Sequence, residues 1–227
     1  MKFQSSDILF EDNHLIIVNK KCGVLVQGDK TGDTPLLELI KAYIKNKYNK
    51  TGNVFLGLVN RIDRPVSGIV IFAKTSKSLS RMNDKLKNRQ IRKLYWLFIS
   101  NNFKTNEGKI EGWFKKNNKI NKSFFFKKEV KNSKYGSLKY KIIEKLEKYL
   151  KIEADLETGR HHQIRCSFSE IGFPILGDLK YGSKRSNKYG GIYLHAREVN
   201  FIHPISKKEI IIKADPPISG LWSAYPY

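Results

Sequence analysis

The stretch Val54-Phe55-Leu56-Gly57-Leu58-Val59-Asn60, Arg61-Ile62-Asp63-Arg64-Pro65-Val66-Ser67, Gly68-Ile69-Val70-Ile71-Phe72-Ala73-Lys74 reads as two apolar, strand-like runs around a charged insert. β-Branched and aromatic side chains fill the runs, and Pro65 and Ser67-Gly68 close the insert as turn residues do. Residues at the ends of buried strands are held rigidly while their loop stays accessible. Asp63 therefore stands where chemistry could be placed. Its neighbours Arg61 and Arg64 favour the carboxylate, and a carboxylate attacks as a nucleophile with no separate base to activate it. By spacing alone, an Arg–Asp ion pair stabilising a turn accounts for the same residues.

Working outward, residues 8–20 read as a short strand and turn, then the apolar run Leu15-Ile16-Ile17-Val18, with Gly23 and Gly28 punctuating the segment beyond it. Thr34-Pro35 supplies an N-cap and first-turn pair. Leu36, Ile40, Ile44 and Tyr48, four residues apart, predict a helix to about residue 48. A second helical pattern covers residues 76–89, with Leu79, Met82 and Leu86 on one face. From residue 93 to 158 the texture is β-rich, as in the alternating Leu150-Lys151-Ile152-Glu153-Ala154-Asp155-Leu156. Gly159 starts a third helical pattern, with Ile164, Phe168 and Ile171 inward and Gly172 as the stop. Strands return at 193–201 and 209–213, and Pro216-Pro217 ends the regular structure. Strands and helices mix without a strict βαβ rhythm, so the fold class is α+β.

The 227 residues carry 43 Lys+Arg against 21 Asp+Glu, a net charge of +22. One large domain, or two small lobes sharing a core, is expected at this length. With 40% hydrophobic and 12% aromatic residues, the chain is too apolar for a disordered polycation. The field of such a charge attracts polyanions, nucleic acid above all, although a lysine-rich bias also produces a merely solvated surface. Lys122-Ser123-Phe124-Phe125-Phe126-Lys127-Lys128 interleaves aromatics with cations, and a triple Phe is read first as strand core rather than as a base-stacking platform. No apolar run approaches 18 residues and the start lacks the apolar core of a signal peptide. Cys22 and Cys166 form no CxxC pair, which fits a reduced, cytoplasmic setting and no zinc site.

Two further motifs bear on chemistry. Thr158-Gly159-Arg160-His161-His162-Gln163-Ile164-Arg165 packs donors at a helix start, an anion-binding arrangement. Its His pair is a poor metal site, since adjacent residues point to different sides of a helix and neither has an acidic partner at i+3 or i+4. Gly177-Asp178-Leu179-Lys180-Tyr181-Gly182-Ser183-Lys184 has the outline of a P-loop but lacks Lys directly after the second Gly, so nucleotide hydrolysis is rejected.

Taken together, residues 60–68 followed by Ile71-Phe72-Ala73-Lys74-Thr75, Lys93-Leu94-Tyr95, residues 159–165 with 172–178 and Tyr181-Gly182, and Leu194-His195-Ala196 with His203-Pro204 resemble the landmarks of the RluA-type pseudouridine synthases. They occur in the right order over essentially the whole chain. The resemblance implies the pseudouridine synthase fold: α+β, a central and mostly antiparallel mixed sheet with flanking helices and an active-site cleft across it. It implies isomerisation of uridine to pseudouridine in structured ribosomal or transfer RNA, without cofactor or metal. Asp63 would be the nucleophile, Tyr95 would stack on the target base, Arg165 would pair with Asp63, and Arg61 would enter the RNA where the uridine leaves. Arg64, Arg160 and His162 complete the expected RNA-binding set. A flipped base needs such a stacking partner and a cationic wedge. A catalytically idle RNA-binding or chaperone-like protein on the same fold is the alternative. Where the family usually has His and Thr, this chain has Asn60 and Val66; its Lys-Pro is Lys20-Lys21, and Thr is common where His161 sits. These departures touch the loop's hydrogen bonds and the substrate subclass. One catalytic domain over residues 1–227, without a small N-terminal RNA-binding module and acting as a monomer, is the expected organisation.

Overall fold

The computed structural model describes residues 3–29, 31–187 and 190–225. The strands, in chain order, are β1 (Ile8–Glu11), β2 (Leu15–Lys20), β3 (Gly57–Leu58), β4 (Ser67–Ala73), β5 (Ile91–Ser100), β6 (Glu107–Asn117), β7 (Lys122–Phe126), β8 (Lys134–Lys145), β9 (Tyr149–Leu156), β10 (Leu194–Ile202) and β11 (Glu209–Lys213). The helices are α1 (Leu36–Lys47), α2 (Ser76–Lys87), α3 (Gln163–Glu170) and the short α4 (Leu221–Ala224). The fold is α+β, and the chain divides into two compact units, one of Met1–Ile91 with Ala196–Tyr227 and one of Arg92–His195.

In the first unit β2 lies antiparallel between β1 and β4, β3 adds two residues beside β4, and β10 and β11 form an antiparallel ladder. Every residue of β4 is buried, as expected of a central strand read from a continuous apolar run. The β2–β4 register runs from Leu15 opposite Ala73 to Lys20 opposite Gly68, which brings Lys20 beside the point where the Asp63 insert returns to the sheet. Gly68 has φ +111°, and a Cβ there would run into the Ala196 backbone, so only glycine fits.

The strand expected at 54–60 shrinks to Gly57–Leu58. Past it, the Asn60 side chain takes over the ladder: Ile71 N–H donates to Asn60 Oδ1 at 2.7 Å. Thr34 does not cap α1 either. Pro35 takes the N-cap position, and the first amides are satisfied at a distance, Leu36 N–H by Leu25 O at 2.7 Å and Leu37 N–H by Val26 O at 3.2 Å. Leu36, Ile40 and Ile44 point inward as the spacing predicts, while Tyr48 is exposed. Thr75 does cap α2, accepting from Ser78 N–H. Regular structure also continues past Pro216-Pro217 into α4.

In the second unit the order is β5-β9-β8-β6-β7, with every ladder antiparallel. Phe114, Phe125, Cys166 and Tyr181 form a core cluster between one face of β6 and β7 and the helix α3. The third helix starts at Gln163, four residues later than the sequence pattern predicts. His162 adopts a left-handed conformation at φ 54°, and the chain enters the helix only after it.

Candidate active site

Arg61, Asp63 and Arg64 sit on one loop of the first unit, and the apolar residues between them anchor it. Ile62 is 8% and Val66 2% exposed, while Asp63 is half-buried and Arg61 exposed. Val66 N–H donates to Asp63 O at 3.0 Å, closing the turn. The loop is then pinned to the segment after β2. Gly23 N–H donates to Arg64 O at 2.8 Å, and the buried Lys20 ammonium donates to the carbonyls of Lys21 (3.0 Å), Val24 (2.9 Å) and Arg64 (3.2 Å). An ammonium has three N–H groups, and here each meets one carbonyl. Burial pulls the pKa of Lys20 down to about 7, while the nearby Cys22 and Asp63 act in the opposite direction.

Arg64 turns away from this cluster. Its Nε donates to Gly23 O at 3.0 Å and its Nη2 to Asp33 at 2.7 Å. Arg64 thus forms its ion pair with Asp33, an acid outside the insert. Lys21, where the family resemblance leads one to expect proline, pairs with Asp7 at 3.0 Å. Sequence patterns do not single out Lys20 as a working residue. The one signal they hold is a lysine ending a strand whose other residues are almost all apolar.

Tyr95, Arg160, His162 and Arg165 belong to the second unit. Tyr95 stands on β5 opposite Ala154 and is 7% exposed. Lys93 is two residues earlier, on the same face. Its Nζ approaches Gly159 closely enough to touch a Cβ placed there at 3.9 Å, and burial lowers its pKa against the pull of Asp155. Arg165 is buried and held by a bidentate pair with Asp178, Nε to Oδ2 at 2.7 Å and Nη2 to Oδ1 at 2.8 Å. Its guanidinium carbon lies 5.0 Å from the centre of the Tyr181 ring. Bidentate pairing fixes both the position and the plane of the guanidinium. Asp178 and Tyr181, part of the rejected P-loop outline, therefore serve to aim an arginine.

The donors around residue 160 are mostly spent locally. Gln163 Oε1 accepts from Arg160 N–H (2.9 Å) and the Thr158 hydroxyl (2.8 Å), and its Nε2 donates to Ser137 O at 3.0 Å. Arg160 Nε donates to Tyr135 O at 2.6 Å. The helix start thus carries its own cap, which weakens the anion-site reading. Adjacent His161 and His162 do not diverge as they would inside a helix. They precede it, and their rings stack with centroids 3.8 Å apart. His162 is 8% exposed, with Nδ1 at 3.0 Å from the Tyr181 hydroxyl. Burial, helped by the Arg165 charge, pushes its pKa down to about 2, so the ring is neutral at ordinary pH and offers no cation to a phosphate. Among the described residues no cluster of three His, Cys, Asp or Glu side chains could hold a metal ion, and no helix is long and apolar enough to cross a membrane.

The α+β fold thus carries a pinned aspartate loop in its first unit and, in its second, a buried arginine aimed by Asp178. The chain belongs to the RNA pseudouridine synthases, a family of isomerases: the RNA pseudouridylate synthase family profile matches residues 14–170. Among curated relatives, the uncharacterized RNA pseudouridine synthase YlyB of Bacillus subtilis is 29% identical over 214 residues, covering 93% of this chain and 69% of that protein. The ribosomal large subunit pseudouridine synthase C of Vibrio cholerae is 30% identical over 213 residues, covering 91% of this chain and 64% of that one. The chain thus spans about two thirds of the length of the curated relatives it matches. Among solved structures, Human RNA Pseudouridylate Synthase Domain Containing 4 superposes with a TM-score of 0.78 at 20% identity, covering 94% of this chain and 89% of that one.

Proposed function

We propose that the protein isomerises uridine to pseudouridine in structured RNA, with Asp63 as the nucleophile. The observation that carries this reading is the loop itself. Asp63 is the half-buried carboxylate of a loop whose next carbonyl, that of Arg64, accepts both from Gly23 N–H and from the buried Lys20 ammonium. A nucleophile gains from such fixing because reacting groups held in place forgo the entropy of finding each other.

In the reaction the Asp63 carboxylate attacks C1′ directly, or takes the C2′ proton as the base leaves to form a glycal and returns that proton to C2′ when the base is rejoined. The C1′–N1 bond breaks and its electron pair leaves with the uracil. The base rotates, C5 bonds to C1′, and the displaced Asp63 leaves as carboxylate. The C5 proton is lost to solvent and N1 gains one, so the product is an isomer and no oxidant or reductant enters. In this reading Tyr95 stacks on the base, Arg165 pairs with Asp63, and Arg61 fills the space the uridine vacates. Arg64 and Arg160 keep their backbone clamps, and His162 supports Tyr181. The name of the Vibrio relative favours ribosomal over transfer RNA as the substrate, and we take the protein to act on it as a monomer in the cytoplasm.

The test is tritium release from RNA labelled at uridine C5, with ribosomal fragments and total transfer RNA assayed separately. Wild type releases tritium from one of them, and Asp63→Ala releases none while still binding RNA. Release by Asp63→Ala would remove Asp63 from this role, and no release by wild type would leave an RNA-binding protein on the same fold.

A further inference from the structure

The triple Phe at 124–126 divides between two faces of the second unit. Phe125 joins the core under α3. Register places Trp113 of β6 opposite Phe126 of β7 and Tyr135 of β8, and Lys115 opposite Phe124. Residues two apart on a strand share a face, so Phe126, Trp113 and Tyr135 form a row across three strands, with Phe124 and Lys115 as the next step. This is the face turned away from α3. Phe124 is 42% exposed, and the other three aromatics are half-buried.

The charge around this row is unusual even for so basic a chain. Residues 115–134 hold eight lysines (115, 116, 119, 122, 127, 128, 131, 134) and one acid, Glu129, a net +7 out of the chain's +22, of which register sends only Lys116, opposite Ser123, and Lys134, opposite Phe114, to the α3 side. Elsewhere on the same sheet lysines are neutralised pairwise: Lys109 with Glu111 at 2.6 Å, Lys141 with Glu153 at 3.0 Å, Lys139 with Glu157 at 3.5 Å. Among the described residues none of the eight pairs with a carboxylate. Concentrated cations without counter-charges, beside partly exposed rings, fit a ligand that brings both phosphates and flat bases.

We propose that this outward face of β6, β7 and β8 binds a single-stranded stretch of RNA, separately from the face that α3 and Arg165 cover. Unpaired bases offer their faces for stacking, whereas a duplex buries them. The proposal rests on the RNA-substrate reading but not on Asp63 chemistry.

The experiment uses the full chain and labelled oligouridine and oligoadenine strands, with a blunt RNA duplex of the same length as comparison. Phe124→Ala is expected to weaken single-strand binding by about 5- to 150-fold, the range for loss of one stacked base, and to leave duplex binding within about twofold. Phe124→Tyr, which keeps the ring, restores affinity and guards against a folding defect. Replacing Lys127, Lys128 and Lys131 together by Gln lowers the salt slope of single-strand binding by roughly 2, at about 0.7 per contact. Equal effects on strand and duplex, or no effect of Phe124→Ala, overturn the proposal. So does Phe124-dependent binding to vesicles of phosphatidylglycerol with no effect on RNA, which makes the face a membrane contact. If wild type binds strands in this way yet releases no tritium from any RNA, this proposal stands and the isomerase reading falls.

Discussion

Asp178→Asn removes the charge of the buried pair while keeping its shape. The two side chains are 6% (Arg165) and 1% (Asp178) exposed, and both guanidinium contacts are shorter than 2.9 Å. Asparagine can accept at one of the two contacts only. At the other its amide presents N–H to N–H. Breaking a buried ion pair at one partner costs about 3–5 kcal/mol, because the remaining charge stays desolvated without this counter-charge. That is roughly two to four orders of magnitude in the folding equilibrium. The backbone of Asp178, whose carbonyl accepts from Tyr181 and Ser183, is untouched by the change, so the loss belongs to the side chain. The assay is urea unfolding followed by tryptophan emission, with Trp96 and Trp113 reporting the second unit. A loss below about 1 kcal/mol would refute the reasoning. The double variant Arg165→Met/Asp178→Leu sharpens the test. Replacing a whole buried pair by apolar side chains is often neutral or stabilising, so stability should return towards wild type. Turnover should not return, because the arginine is gone; a double variant with normal tritium release would dismiss Arg165 from the reaction.

Lys20→Met takes the ammonium from the carbonyls of Lys21 and Val24, whereas Arg64 O keeps the Gly23 N–H; at about 1–3 kcal/mol per orphaned acceptor, the expected loss is about 2–6 kcal/mol with a fall in kcat, and unchanged stability and turnover would refute the clamp. In wild type this lysine has a folded pKa of about 7 against 10.5, so the unfolded chain binds more protons between those values and the contribution of Lys20 to stability rises with pH across that window. Unfolding at pH 7 and pH 9 should show the rise in wild type and a smaller one in Lys20→Met. Burial pushes the Glu11 carboxyl up, but hydrogen bonds from Lys47, Lys74 and Tyr48 outweigh it and hold the pKa down to about 2. Its stabilisation is full above about pH 4.5 and lost as pH falls towards 2. Glu11→Gln should therefore melt below wild type at pH 7 and alongside it near pH 2, and an equal gap at both would sink the assignment.

Much of this protein is determined by its sequence alone. The buried β4, the inward faces of α1 and α2, and the loop that presents Asp63 arise from periodicities and turn residues that act over a few positions. So do the net charge and the ordered motifs that point to an RNA isomerase. What only tertiary structure decided depends on partners far along the chain. Gln163 closes the start of α3 because Ser137, 26 positions away, receives its amide. Lys20 clamps a carbonyl 44 positions on. Arg165 is aimed by Asp178, 13 residues later and past the end of its helix. The three phenylalanines look alike in sequence, and cross-strand register alone sends Phe125 into the core and Phe124 to the surface. Local pattern records which residues prefer to be buried or turned. It carries no record of which distant groups meet, because burial and hydrogen bonding between them are energies of the assembled fold and not of the chain's neighbours.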